Sequence, residues 1–406
     1  MVLQQITVYN IVYIMRYCIV FLISLLSTWW VFKKVLKIAM IKNIVDNPDA
    51  RKLHRQPVPV LGGIAVFFGI LVALIASKLF CNPHWLFTVM GLMAVMLYIG
   101  TMDDILSLSP GFRFVLEILV VVAMIICNDG LINNFRGIWD IWWIPTWAAV
   151  IVTIIACVGI INAINLIDGV NGLCSGYCIT ACVLFAIVFS ISGNMDAAIL
   201  AIISIGALIP FFFHNVFGKA SKMFMGDGGS LLMGIIMSSF VVAILKDSNA
   251  YFYYNYPEFG LIPFALAVLS IPVFDTLRVM IMRIIRGNSP FMPDKTHLHH
   301  LFLDFGFSHI GTTAFVIFFN LLVVLSWWIT YSKGGSIELQ FYVVASASFA
   351  VTFIFYPMMR SIERRKGKLY TLITRIGNWT HFGHTNLFQS ITKVLDRNCY
   401  EAESES

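Results

Sequence analysis

The chain has 406 residues, of which 59% are hydrophobic and only 12% charged, and its mean hydropathy is +0.85. That composition excludes a soluble globular domain, which would be about half apolar and a quarter charged. The net charge of +6 sits in the loops between apolar runs, so it reads as an orientation and lipid-headgroup signal and gives no ground for nucleic-acid binding.

Eleven apolar stretches are long enough to cross a bilayer, each crossing needing roughly 20 residues. In chain order they are 13–32, 62–80, 85–100, 112–127, 147–164, 173–192, 197–217, 229–245, 259–281, 312–331 and 341–359. The first runs into Lys33-Lys34 with no small-residue cleavage site, so it is expected to be a retained span and not a removed leader. With the amino terminus outside, all but five of the 27 Lys and Arg (Arg16, Lys78, Arg136, Lys246 and Lys333) fall on one side, which is then cytoplasmic. The expectation is an all-α polytopic integral membrane protein with its N-terminus outside and its C-terminus cytoplasmic. Residues 1–359 form the transmembrane domain and 360–406 a basic cytoplasmic tail, with no internal repeat and no separate soluble domain. Trp379, Phe382 and Leu387 in that tail suggest a segment lying on the membrane surface. The eight cysteines include no CxxC pair; Cys174, Cys178 and Cys182 share one face of a span, as small residues do at a close helix contact.

The polar residues that matter lie at the cytoplasmic ends of these spans, where a carboxylate costs several kcal/mol unless it finds a partner or a wet cavity. The first loop, 46–63, ends in Pro57, Pro59 and Gly62-Gly63, stiff then permissive backbone that suits either a basic anchor under anionic lipid or a segment held against a ligand. Asp103-Asp104 closes the third span and Arg113 opens the fourth; adjacent acids on a helix point roughly 100° apart, so the pair need not share a role, and one of them is a candidate base. Asn162, Asn165 and Asp168 form one polar edge where the fifth span ends, and Gly169-Val170-Asn171-Gly172 then breaks the helix beside it. Such an edge suits a metal with its water shell or a nucleobase. Phe224-Met225-Gly226-Asp227-Gly228-Gly229 opens the eighth span, offering a carboxylate beside helix-start N–H groups that suit a metal-bridged phosphate. Asp275 and Arg278, three residues apart, are expected to pair with each other. His297, His299 and His300, with Lys295 and Arg286 nearby, lack zinc-like spacing and read as a cationic, hydrogen-bonding platform for a diphosphate.

Five of these motifs, in this order across roughly residues 44–310, resemble the polyprenyl-phosphate N-acetylhexosamine-1-phosphate transferases. The run SPFMPDKTHLHH, residues 289–300, is similar to the branch that uses UDP-GlcNAc to start O-antigen, enterobacterial common antigen and teichoic acid. The resemblance implies that undecaprenyl phosphate attacks the β-phosphorus of UDP-GlcNAc, releasing UMP, with the active site on cytoplasmic loops of a bacterial inner membrane protein. It implies Mg²⁺, with Mn²⁺ as a substitute, held by Asp227 with Asn165 beside it. Phe224 matches a uracil-stacking aromatic and Asn171 a uracil contact. Asp103 matches a proposed base, and Asp104 and Asp168 match further required acids. Arg113, Lys295, Arg286, His297, His299 and His300 match groups around the diphosphate and sugar. Position 171 is Asn where many bacterial relatives carry Asp, which removes it from the metal candidates. The same reaction with another UDP-HexNAc is the nearest alternative. A cation-coupled transporter is the remote one, because transport sites usually sit near the bilayer midplane and these acids cluster at one surface. The resemblance leaves room for a homodimer.

Overall fold

The computed structural model describes residues 2–48, 56–78, 84–128, 130–246, 256, 258–290 and 294–397; side chains are described for residue 12 and from 14 onward. The basic stretch 49–55 of the first loop and residues 291–293 of the histidine loop, both singled out above, lie outside the described residues.

Eight helices build the body of the molecule: α1 (Val2–Ile41), α2 (Gly62–Ser77), α3 (His84–Leu106), α4 (Pro110–Asn128), α5 (Thr146–Leu166), α6 (Leu173–Ser192), α7 (Met195–Phe217) and α8 (Gly226–Leu245). Unbroken apolar runs give helices here because in hydrocarbon every backbone N–H and C=O must be satisfied within its own segment. Among the described residues nine helices are long and apolar enough to span a membrane, or ten with one bent pair counted as a span, and α2 is a shorter apolar helix. The chain is therefore a multi-pass membrane protein. It is not wholly helical: Val45–Asp46 pairs antiparallel with Val58–Pro59, and Asn134–Ile138 with Ile141–Trp143. The second ribbon turns through Trp139 and Asp140, both at positive φ (56° and 58°), the geometry that matches the twist of a tight hairpin.

The run 259–281, read as one span, is two helices: α9 (Leu261–Val268) and α10 (Ser270–Ile285), bent by 72°. Pro272 explains the break. It has no N–H to give to Val268 O four residues earlier, and that carbonyl is met instead by Tyr177 Oη at 2.6 Å and Asn320 Nδ2 at 3.1 Å. Asn320 Oδ1 accepts from Ser270 Oγ at 2.9 Å and Ile271 N at 3.3 Å. Two buried side chains thus satisfy the groups a broken helix frees. Beyond α10 come α11 (Leu298–Asp304), α12 (His309–Ser332), then α13 (Ile337–Phe349) running through a wider turn at Ala350–Phe355 into α14 (Tyr356–Arg365). The tail adds α15 (Lys368–Trp379) and α16 (Asn386–Asp396).

Helix α8 is the centre of the bundle. Of its apolar window 94% is buried, against 17% for α1 at the periphery. It meets α2 and α3 backbone to backbone. A Cβ at Gly63 would collide with the main chain of Gly229, and one at Gly100 with that of Asp227. Without hydrophobic drive between helices in lipid, such small-residue contacts supply the packing, and they fix the start of α8 where Asp227 sits.

Candidate active site

At one end of the bundle lies an open cavity of 430 Å³ whose wall includes Asp104, Asp168, Asp227, Phe224, Asn171 and His300. Asp227 stands in the first turn of α8, with Gly226 at φ +72° turning the chain into the helix. The carboxylate of Asp104, from the end of α3, accepts from Asp227 N at 3.0 Å and Gly228 N at 3.3 Å. Two of the helix-start N–H groups expected to face a phosphate are thus taken by an acid of a neighbouring helix, a cap favoured by the helix dipole.

Asp103 lies beside Asp227, behind the cavity wall. Its oxygens accept from Leu108 N at 2.8 Å and Arg113 Nη1 at 2.9 Å, and it is not part of the cavity wall. Arg113 Nη1 lies 3.7 Å from Asp227 Oδ2, and its Nε 3.4 Å from Glu117. Glu117, fully buried, accepts from Asn162. Asn165 Nδ2 donates to Asp227 Oδ1 and to Ser230 Oγ, both at 2.8 Å. The polar edge of α5 therefore divides: Asn162 braces Glu117, Asn165 braces Asp227, and Asp168 faces the cavity. The half-buried Asp168 carboxyl is pushed up to about 7, first by burial and then by the negative charge of Asp227.

The loop 218–225 between α7 and α8 carries Lys222 and Phe224 into the wall, with the Lys222 ammonium 5.7 Å from the Phe224 ring centre. Three braces hold it. Asn215 donates to Met223 O at 2.9 Å while accepting from Gly172 N at 2.6 Å, tying this loop to the one bearing Asn171. Phe224 N donates to Pro59 O at 2.7 Å, and Gly62 N and Gly63 N donate to Phe224 O and Met225 O at 3.0 and 2.9 Å. The proline and glycine end of the first loop is thus a backbone cradle for Phe224. The third brace comes from the tail: Asp396 at the end of α16 accepts from loop residues 219–221.

Of the three histidines only His300 lines the cavity. His297 Nδ1 is 2.9 Å from Asp275, which also binds Arg278 Nη2 at 2.6 Å, the pairing expected from their spacing. His299 is buried against Gly169, where a Cβ would lie 2.8 Å from its Nε2, so this glycine is required for the ring to fit. Burial, reinforced by neighbouring imidazoles, holds His299 well below the usual histidine range and His300 at about 4. Burial disfavours the imidazolium form of His299 and His300, so these two rings offer hydrogen bonds more than positive charge; among the described residues Lys222 brings a cation to the wall, and burial lowers its ammonium pKa. Arg286 and Lys295 are exposed and do not line this wall; Lys295 is close enough to His300 to act on its charge, and Arg286 lines a separate 490 Å³ cavity with Arg278, Arg283, Arg360 and Arg364.

Sequence reasoning missed Glu117, Asn215, Lys222 and Asp396. Only Glu117 carried a signal, an acid four residues after Arg113 inside an apolar span. The oxygen donors fit a hard divalent cation. Among the described residues no three His, Cys, Asp or Glu close on one point as a preformed cage, and Mg²⁺ takes few protein carboxylates and completes its shell with water and phosphate. Asp227 with Asn165 beside it would hold such an ion, and its charge would relieve the proton affinity that Asp227 imposes on Asp168.

Residues 86–245 match the family model for glycosyl transferase family 4. Over 331 residues, 81% of this chain and 88% of the relative, the chain is 29% identical to a probable undecaprenyl-phosphate N-acetylglucosaminyl 1-phosphate transferase of Bacillus subtilis. It is 30% identical to an undecaprenyl-phosphate alpha-N-acetylglucosaminyl 1-phosphate transferase of Yersinia pestis over 69% of this chain and 74% of that one, and 29% identical to the protein of that name from Escherichia coli K12 over the same shares. Seen with the acid-lined cavity at the ends of membrane helices, these similarities lead to one conclusion: the chain belongs to glycosyl transferase family 4 and is a multi-pass membrane phosphotransferase.

Proposed function

We propose that the chain transfers GlcNAc-1-phosphate from UDP-GlcNAc to undecaprenyl phosphate at the cytoplasmic face of a bacterial inner membrane, releasing UMP. The observation that carries this reading is the convergence of Asp104, Asp168 and Asp227 with Phe224, Asn171 and His300 on one open cavity. A cavity at helix ends serves a soluble nucleotide and a lipid-borne phosphate alike, and the names of the relatives support that substrate pair. The concentration of Lys and Arg in the loops on this side supports the cytoplasmic assignment.

One phosphoanhydride is exchanged for another: an oxygen of the lipid phosphate bonds to the β-phosphorus as the bond to UMP breaks. The protein's work in such a transfer is positioning and charge stabilisation. Phe224 offers a face for uracil and Asn171 a hydrogen-bonding amide for its edge. Lys222 and the neutral His300 attract and orient the phosphates. Asp168, with its carboxyl near neutral, is suited to accept the acceptor's proton. Asp104 caps the first turn of α8 and so holds Asp227 in place, while Arg113, bridged to Asp103 and Glu117, steadies it from behind. Mg²⁺ bound by Asp227 with Asn165 would neutralise the diphosphate and the departing UMP.

The test is UMP release by detergent-solubilised protein supplied with undecaprenyl phosphate and Mg²⁺ across a panel of UDP-sugars. Release is expected with UDP-GlcNAc in preference to UDP-GalNAc and UDP-glucose. A preference for another UDP-HexNAc would change the donor, and no release with any of them would overturn the reaction.

A further inference from the structure

The tail holds none of the polar motifs of the cavity, yet its last described helix reaches the cavity's scaffold. Asp396 is 2% exposed. Lys219 N donates to its two oxygens at 3.3 and 3.2 Å, Ala220 N at 3.2 Å, Ser221 N at 3.0 Å and Ser221 Oγ at 2.7 Å. Three consecutive N–H groups converging on one anion form a backbone nest, here filled by a side chain about 175 residues later in sequence. Two further contacts dock the helix: Thr392 Oγ1 donates to Phe217 O at 2.8 Å, and Phe388 packs its ring 5.0 Å from that of Phe217. The loop so held is the one that presents Lys222 and Phe224 to the cavity.

We propose that α16 is an intramolecular brace for the donor-binding loop and that Asp396 is its positioning residue, setting affinity for the nucleotide half of the donor without touching substrate. A buried carboxylate is tolerable only while its donors surround it, so helix and loop order each other. Removing the carboxylate leaves three main-chain donors to water and loosens residues 219–224. The consequence falls on groups that bind the nucleotide and leaves Asp168 and Asp227, which stand on other braces, in place. This inference rests on the reading of Phe224 and Lys222 as donor contacts.

The experiment compares Asp396→Ala, Asp396→Asn and Ser221→Ala in the full chain. Hydrogen exchange without substrate is expected to show the amides of 219–221 exchanging at least about tenfold faster in Asp396→Ala. Steady-state assay is expected to show KM for the UDP-sugar raised about tenfold, with kcat and KM for the lipid phosphate within about twofold of wild type. Asp396→Asn, keeping one acceptor oxygen, and Ser221→Ala, losing one donor, are expected to fall between, and they decide the matter if Asp396→Ala does not fold. Unchanged exchange in these amides overturns the brace. Faster exchange with equal changes in both KM values overturns the donor-affinity role. If wild type does not turn over any UDP-sugar, the exchange arm alone still decides whether the brace exists.

Discussion

Around Asp275 every oxygen is matched: Arg278 lies at 2.6 Å, His297 Nδ1 at 2.9 Å and Leu298 N at 3.1 and 3.2 Å from its two oxygens. Asp168 stands just across the histidine run, through Gly169 against His299. It faces a cavity, has no cationic partner among the described residues, and feels another acid, Asp227. Asp275 lies within α10 and Asp168 just past the end of α5, and one is closed where the other is open. A closed carboxylate commits its charge to structure, here tying α10 to the histidine loop. An open one keeps its charge for something that arrives. The difference separates acids that build the site from acids that act in it, which sequence position alone does not.

Substitutions test that division. The largest effect on rate is expected for Asp227→Ala, which lowers UMP release by at least about a thousandfold while leaving the unfolding temperature near wild type; Cys178→Ala, at a buried helix contact, serves as the control that retains transfer. Asp275→Ala is expected to act in the opposite way, uncovering buried Arg278 at a cost of about 3–5 kcal/mol, seen as a fall in thermal stability in detergent. If Asp227→Ala destabilised the protein and Asp275→Ala only slowed it, the contrast between open and closed acids would collapse.

For Asp168 the contrast can be read from pH. The folded chain keeps this proton up to about pH 7 where an unfolded chain releases it near 3.8. The group's stabilising contribution is therefore full below 3.8 and is lost progressively as pH rises to about 7. Asp168→Asn is expected to gain thermal stability over wild type as pH is raised from 4 to 8, by about 2–4 °C, and to lose transfer at every pH, while the wild-type rate climbs through neutrality. A flat stability difference would show that Asp168 is not an open acid. The smallest effect is expected for Phe224→Leu, which raises KM for the UDP-sugar about tenfold and more than KM for the lipid; the reverse order would remove the stacking role.

Much of this was legible in the sequence. Long apolar runs specify helices in a membrane with little help from tertiary context, and Asp104, Asp168, Asp227, Phe224 and Asn171 come from polar span ends and loops that the fold brings to one wall. What escaped notice depended on distance along the chain or on direction. Asp396 and its loop are separated by about 175 residues, and neither end carries a pattern that names the other. Asp103 and Asp104 are neighbours in sequence, but the helix turns one to Arg113 and the other to the start of α8. The break in 259–281 was signalled by Pro272, yet Tyr177 and Asn320, which make the break tolerable, come from other helices. The three histidines fall in one loop, but only His300 reaches the wall, and the burial that lowers the proton affinity of His299 and His300 is not displayed in sequence.

The glycine contacts of α8 have a bearing on how the enzyme meets its membrane. Since Gly63 and Gly100 press main chain against main chain at the start of this helix, no flexible side chain lies between scaffold and acid to absorb or amplify a displacement. Bilayers of different hydrocarbon thickness act first on helices that face lipid, tilting them to hide mismatch. Helix α1 has only 17% of its apolar window buried, whereas α8 has 94% and meets almost no lipid. Asp227 is thus registered to the interior of the protein more closely than to the surrounding bilayer.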